Sequence, residues 1–108
     1  MSEAYHNLSD LDRVIHEPSR LLLVALLSSV ESADFLFLLK ESRLTRGNLT
    51  VHLSRLEEAG YIRVEKTIRG KFPHTEYWLT PQGRSAFVHY RDNLGRIFDG
   101  KKGTEEGI

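Results

Sequence analysis

The spacing of apolar residues changes along the chain, and each change marks an element. Leu8, Leu11 and Ile15 stand three and four apart, which predicts a short amphipathic helix over residues 8–17. Pro18 suits the first turn of a second helix, which runs to about Ser28. Its run LLLVALL is apolar all round, as expected for a helix central to a core or a subunit contact. SVES breaks it. Ser32 then reads as the cap of ADFLFLLKES, with Phe35, Leu38 and Leu39 as the inward stripe. Leu36 and Phe37 lie off that stripe, so one of them is expected to face another element or a partner. After a very short connection, Thr45 is an N-cap for a fourth helix over residues 45–59. Leu49, Leu53 and Leu56 form its inward stripe, and Gly60 is its stop.

Beyond Gly60 the period falls to two. Ile62, Val64 and Ile68 alternate with Arg63, Glu65 and Thr67, which reads as a strand. RGKFPHT reads as a hairpin loop and TEYWLT as the return strand, with Trp78 expected in the core. Thr80 and Pro81 are a cap and first-turn pair for a last helix, to about Phe98. Its stripe of Phe87, Tyr90, Leu94 and Ile97 is longer than so small a core can use. The order α-α-α-α-β-β-α, mainly helical within an α+β class, describes a winged helix-turn-helix with a two-stranded wing. Residues 1–98 are expected to form this single domain, and residues 99–108, Gly-rich and charged, a disordered tail.

Composition removes several alternatives. The chain has 108 residues, enough for one small core, and no cysteine, which excludes disulfides, a thiol nucleophile and thiolate metal sites. MSEAYHNLSDLD is too polar for a signal peptide, and no apolar run approaches the length of a membrane span, so a cytoplasmic protein is expected. The histidines are scattered, with no nucleophile constellation or phosphate-cradling glycine loop, so neither an enzyme, a cofactor nor a metal site is expected. Net charge is zero but uneven. Residues 1–39 carry two arginines against six carboxylates, and residues 40–76 carry eight basic side chains against five acidic ones. A phosphate backbone feels the local face rather than the total.

SRLLLVALL, then DFLFLLKESRLTRGNLTVHLSRLEEAGYIRVEK, then TEYWLTPQGRSAF resembles the small stand-alone winged-helix transcriptional regulators related to the MarR and ArsR types. The most specific parts are LTRGNLTVHLSRLEEAGYI and the LTPQGR after the hairpin, and the likeness covers roughly residues 11–94. The resemblance implies a homodimer on a pseudo-palindromic operator, with helix 45–59 in the major groove and the wing at the backbone or minor groove. Thiolate-based metal sensing, common among ArsR-type proteins, is excluded here by the lack of cysteine.

At about 100° per residue, Gly47, Val51, Ser54 and Glu58 fall opposite the Leu49 stripe, while Asn48, Thr50 and Arg55 flank the exposed arc and Arg46 sits in the first turn. With the resemblance, Arg46, Gly47, Asn48, Thr50, Val51, Ser54 and Arg55 are the expected base-reading set. Asn suits adenine, Arg guanine, and Thr and Val a thymine methyl. Glu58 would repel phosphate, so only the first half of the helix is expected to enter the groove. His52 reads as a half-buried histidine bonded to a neighbouring element. Arg43, Thr45, Arg63, Lys66, Arg69, Lys71 and His74 are the expected backbone or wing contacts, with Arg63 and Lys66 equally readable as solvated strand residues. Leu11, Ile15, Leu22, Leu23, Phe87, Tyr90, Leu94 and Ile97 are the expected dimer contacts. Double-stranded DNA and a second copy are the expected partners, and an unknown small-molecule effector would have to bind at the dimer interface. The other reading is a protein-interaction module using Leu36, Phe37 and Phe72.

Overall fold

The computed structural model describes residues 11–106. Four helices and three strands follow one another as α1 (Pro18–Ser28), β1 (Ala33–Asp34), α2 (Phe35–Ser42), α3 (Arg46–Glu58), β2 (Ile62–Arg69), β3 (Phe72–Leu79) and α4 (Pro81–Glu106). The sheet is antiparallel in the order β1-β3-β2. None of the described helices is long and apolar enough to cross a membrane.

The expected helix over residues 8–17 begins outside the described residues, and from residue 11 to 17 the chain makes turns instead. The Asp12 carboxylate accepts from the backbone N–H of Val14 and of Ile15, at 2.8 and 3.1 Å. Such local bonds compete with a helix. Pro18 also keeps the residue before it out of the helical region, and Glu17 is extended, its side chain capping α1 through the Arg20 N–H. Tyr61 donates its hydroxyl to Asp12. Burial and that carboxylate push its phenol up to about 12.

Ser32 does not cap α2. Ala33 and Asp34 pair with Tyr77 and Glu76 as a short third strand, and Asp34 takes the cap by accepting from the Phe37 N–H at 2.8 Å. Ser32 instead donates to Glu76 at 2.6 Å. The turn between α2 and α3 takes three residues. Arg43 closes α2 at φ 60, buried Ser42 accepts from the Leu44 N–H, and Thr45 caps α3 by accepting from the Asn48 N–H at 3.1 Å. A cap of this kind contributes about 1 kcal/mol. At the other end Gly60, at φ 81, donates to Glu57 while Tyr61 donates to Leu56, a Schellman stop.

Between β2 and β3 the loop is only Gly70–Lys71, shorter than RGKFPHT predicts. Gly70, at φ 65, supplies the positive φ of a primed two-residue turn. Pro73 therefore lies within β3. It is tolerated because β1 reaches only Tyr77 and Glu76, leaving β3 an open edge at Pro73. The two faces of β3 also correct the sequence reading of Trp78. Tyr77, opposite Val64, is the buried residue, and Trp78, opposite Arg63, lies on the outer face with the guanidinium 4.0 Å from its ring.

Leu23, Val24 and Leu27 of α1 meet Leu38 of α2, Leu49, Leu53 and Leu56 of α3, and Ile62 and Tyr77 of the sheet in the main core. Each such aliphatic side chain contributes about 1.5–3 kcal/mol on burial. Leu11, Ile15 and Tyr90 form a second cluster, with Leu94 and Ile97 packed against it. Helix α4 runs past Phe98 to Glu106, where no proline interrupts it.

Candidate nucleic-acid interface

Helix α3 is anchored by its leucines, so its other face is free. Arg46, Gly47, Asn48, Thr50, Val51, Ser54 and Arg55 are all exposed, Val51 at 53%. A Cβ on Gly47 would meet no atom within 4 Å, so packing does not require glycine there and the backbone stands open to an approaching surface. The Thr50 hydroxyl donates back to the Arg46 carbonyl at 2.8 Å. Arg46 stacks its guanidinium 5.8 Å from the Phe35 ring.

The wing stands against one flank of this helix. Thr50, Ser54 and Glu57 border a notch shared with Val64 and Lys66 of β2. Arg46 borders a second cleft with Asp34, Pro73, His74 and Thr75. Base-facing and wing residues that are distant in sequence are thus brought into one surface. Lys66, Arg69 and Lys71 are exposed along the wing, and Arg43 and Thr45 are exposed at the turn before α3. Two expected backbone contacts are partly engaged elsewhere. Arg63 stacks on Trp78 and lies 4.0 Å from Glu65. His74 is half-buried, with its Nε2 2.6 Å from Glu76. Glu76 is held below the ordinary carboxylate value by the bonds from Ser32 and His74.

His52 is half-buried, with Nδ1 3.1 Å from Nη1 of Arg20 and 3.8 Å from Glu17. That matches its reading as a histidine bonded to a neighbouring element. The residues expected at a dimer contact divide. Leu11, Ile15, Leu23 and Tyr90 are buried within their own chain, because the two core clusters need them. Phe87, Leu94 and Ile97 are half-buried, and Leu22 is 40% exposed. Val88 and Phe98, which the stripe did not include, are exposed on α4. Both Leu36 and Phe37 are exposed on α2.

Sequence reasoning missed Arg13 and Arg20. They border one groove with Arg55 and Glu58 on the other flank of α3. Their window is acidic, and no local pattern joins residues 13 and 20 to residue 55.

A short turn between α2 and α3, a capped helix with an open polar face, and a basic hairpin behind it define a winged helix-turn-helix of the DNA-binding class. The chain belongs to the winged helix DNA-binding domain family, whose model matches residues 19–98. It is 33% identical over 78 residues to an uncharacterized protein of Methanocaldococcus jannaschii, covering 72% of this chain and 85% of that one. A transcriptional regulator homologue from Pyrococcus horikoshii superimposes with a TM-score of 0.81 at 27% identity, over 93% of this chain and 97% of the other. A MarR family regulator from Silicibacter pomeroyi shares the fold at a TM-score of 0.63 and 19% identity, over 94% of this chain and 68% of that one. An ArsR family regulator does so at 0.58 and 17%, over 87% and 92%. The chain is thus a winged helix DNA-binding domain protein, and its fold is the one that MarR and ArsR family regulators share.

Proposed function

We propose that the protein binds duplex DNA in a sequence-specific manner, as a homodimer on a pseudo-palindromic operator. The observation that carries this reading is the open face of α3, where Arg46, Asn48, Val51 and Ser54 are exposed beside a basic wing. Arg46, Asn48, Thr50, Val51 and Ser54 read base edges from the first turns of α3. Lys66, Arg69 and Lys71 contact phosphates and make affinity salt-dependent. Glu57 and Glu58 keep the last turn of α3 out of the groove. Half-sites are centred about one helical turn apart. A small-molecule effector would enter where α4 meets Tyr61 and Asp12. There a groove of about 440 Å³ is also bordered by Gln82, Ser85, His89 and Asn93.

Binding-site selection from a random duplex library tests this reading directly. The expected product is a two-fold motif, with Asn48→Ala costing about 1–3 kcal/mol on that motif and little on unrelated duplex. Recovery of no motif, with binding no tighter than micromolar at low salt, would refute it. The exposure of Leu36 (62%) and Phe37 favours a second reading, a protein-interaction module. Retention of a protein partner without DNA retention would support it.

A further inference from the structure

Arg13, in the turns before α1, Arg20, on α1, and Arg55, on α3, converge on one groove of about 390 Å³, bordered also by Val14, Glu58 and Ala59. Arg20 is fixed there. Its Nε donates to the Val14 carbonyl at 2.6 Å and its Nη1 meets His52 Nδ1 at 3.1 Å. Glu17 is occupied nearby, accepting from the Arg20 backbone N–H and lying 3.8 Å from His52. The groove is therefore lined by three arginines and one carboxylate, Glu58, with the Glu17 carboxylate outside the lining beside Arg20 and His52. Like charges brought together destabilise a fold unless an anion joins them. Arginine forks match phosphate oxygens better than any other side chain.

The place of the groove matters as much as its charge. Thr50 and Ser54 face the wing across one notch, whereas Arg55 lies about 140° around the helix from Thr50. The wing and the arginine groove thus lie on opposite flanks of α3, as the two phosphate strands lie on opposite sides of a major groove.

We propose that the Arg13–Arg20–Arg55 groove is a phosphate subsite, seating a backbone phosphate of duplex DNA on the side of the major groove away from the wing. Exposed Arg13 and Arg55 contact the phosphate, and Arg20 supplies a fixed positive charge at the floor. The assignment rests on the DNA-binding reading above and moves Arg55 from base reading to backbone contact. The bracket formed by wing and groove sets how deeply α3 sits.

The test uses the full chain, a random-sequence duplex and binding measured across salt. Arg13→Gln and Arg55→Gln each remove one phosphate contact, so each should weaken binding on every sequence alike. The salt slope should fall by about 0.9 for each, so between roughly 50 and roughly 200 mM salt each variant loses about 3.5-fold less affinity than the parent. Glu58→Gln should tighten binding. Arg20 also holds Val14 and His52, so the test avoids it. Arg13 is exposed, and circular dichroism of its variant controls for folding. Unchanged slopes for both arginine variants, alongside a reduced slope for Lys71→Gln on the wing, would overturn the subsite and leave the DNA-binding reading intact. No duplex binding by the parent at low salt removes both. On the selected motif and its single-base variants, a loss confined to one base position in Arg55→Gln, with the slope on random duplex unchanged, returns Arg55 to base reading and overturns its place here.

Discussion

At the scale of single residues, what matters is how each polar side chain is occupied. Asn48 and Ser54 are exposed and their side chains make no hydrogen bond among the described residues, whereas His52 and His74 are taken up by Arg20 and Glu76. The wheel made His52 legible, because its angle falls near the core stripe. His74 carried a signal that the loop reading hid. His74 and Glu76 are two apart, so on a strand they share a face. The Ser32–Glu76–His74 cluster also has a pH dependence. Glu76 is held below its ordinary 4.5 by bonds from Ser32 and His74. A carboxylate whose folded value is lowered adds stability above its unfolded value, and that addition is lost as pH falls through the folded value. The stability advantage of the parent over Glu76→Gln should therefore be constant above about pH 4.5 and shrink below it. Urea unfolding at a series of pH values measures this. An advantage that does not vary across that range would show that the cluster adds nothing through the charge.

The elements are joined at close contacts that no single element explains. The start of α4 lies against the start of β2. Thr80 donates its hydroxyl to the Gly60 carbonyl at 2.7 Å, accepts from the Gly83 N–H at 2.9 Å, and gives its own N–H to the Tyr61 carbonyl. Gly83 is buried there. A Cβ on it would stand 2.1 Å from the Tyr61 carbonyl oxygen and 2.9 Å from Leu79 Cδ1. A backbone oxygen cannot move aside as a side chain can. Gly83→Ala is expected to cost about 1–3 kcal/mol, although alanine favours helices more than glycine does. Thermal unfolding checks the sign. A variant at least as stable as the parent would mean that α4 shifts freely on β2. The periodicities made the helices and both wing strands legible. The two-residue β1 was not, because Ala33 and Asp34 become a strand only through Tyr77 and Glu76, more than forty residues away.

For the whole molecule, one chain satisfies its core and still leaves apolar surface. Leu22 on α1 is 40% exposed, and Phe98 on α4 is 76% exposed. If the long helix pairs with its two-fold mate, these side chains are covered in the dimer. The double change Leu22→Glu and Phe98→Glu should then give a folded monomer in sedimentation, since neither residue is in the core clusters. Affinity for a two-fold operator should drop far more than affinity for a half-site, because the two reading helices are no longer linked. A parent protein that sediments as a monomer at micromolar concentration would refute the dimer.

The sequence alone determined the kind and order of most elements, the inward stripe of α3, its Thr45 cap and Gly60 stop, and the exposed row beside them. These features depend on residues within a few positions of one another, so periodicity and capping chemistry report them directly. Tertiary structure decided that Tyr77 rather than Trp78 enters the core. It also decided that Leu11, Ile15 and Tyr90 are used within one chain, and that Arg13 and Arg20 join Arg55. Each depends on surfaces far apart in the chain that meet only once the core closes, and no local pattern encodes that meeting.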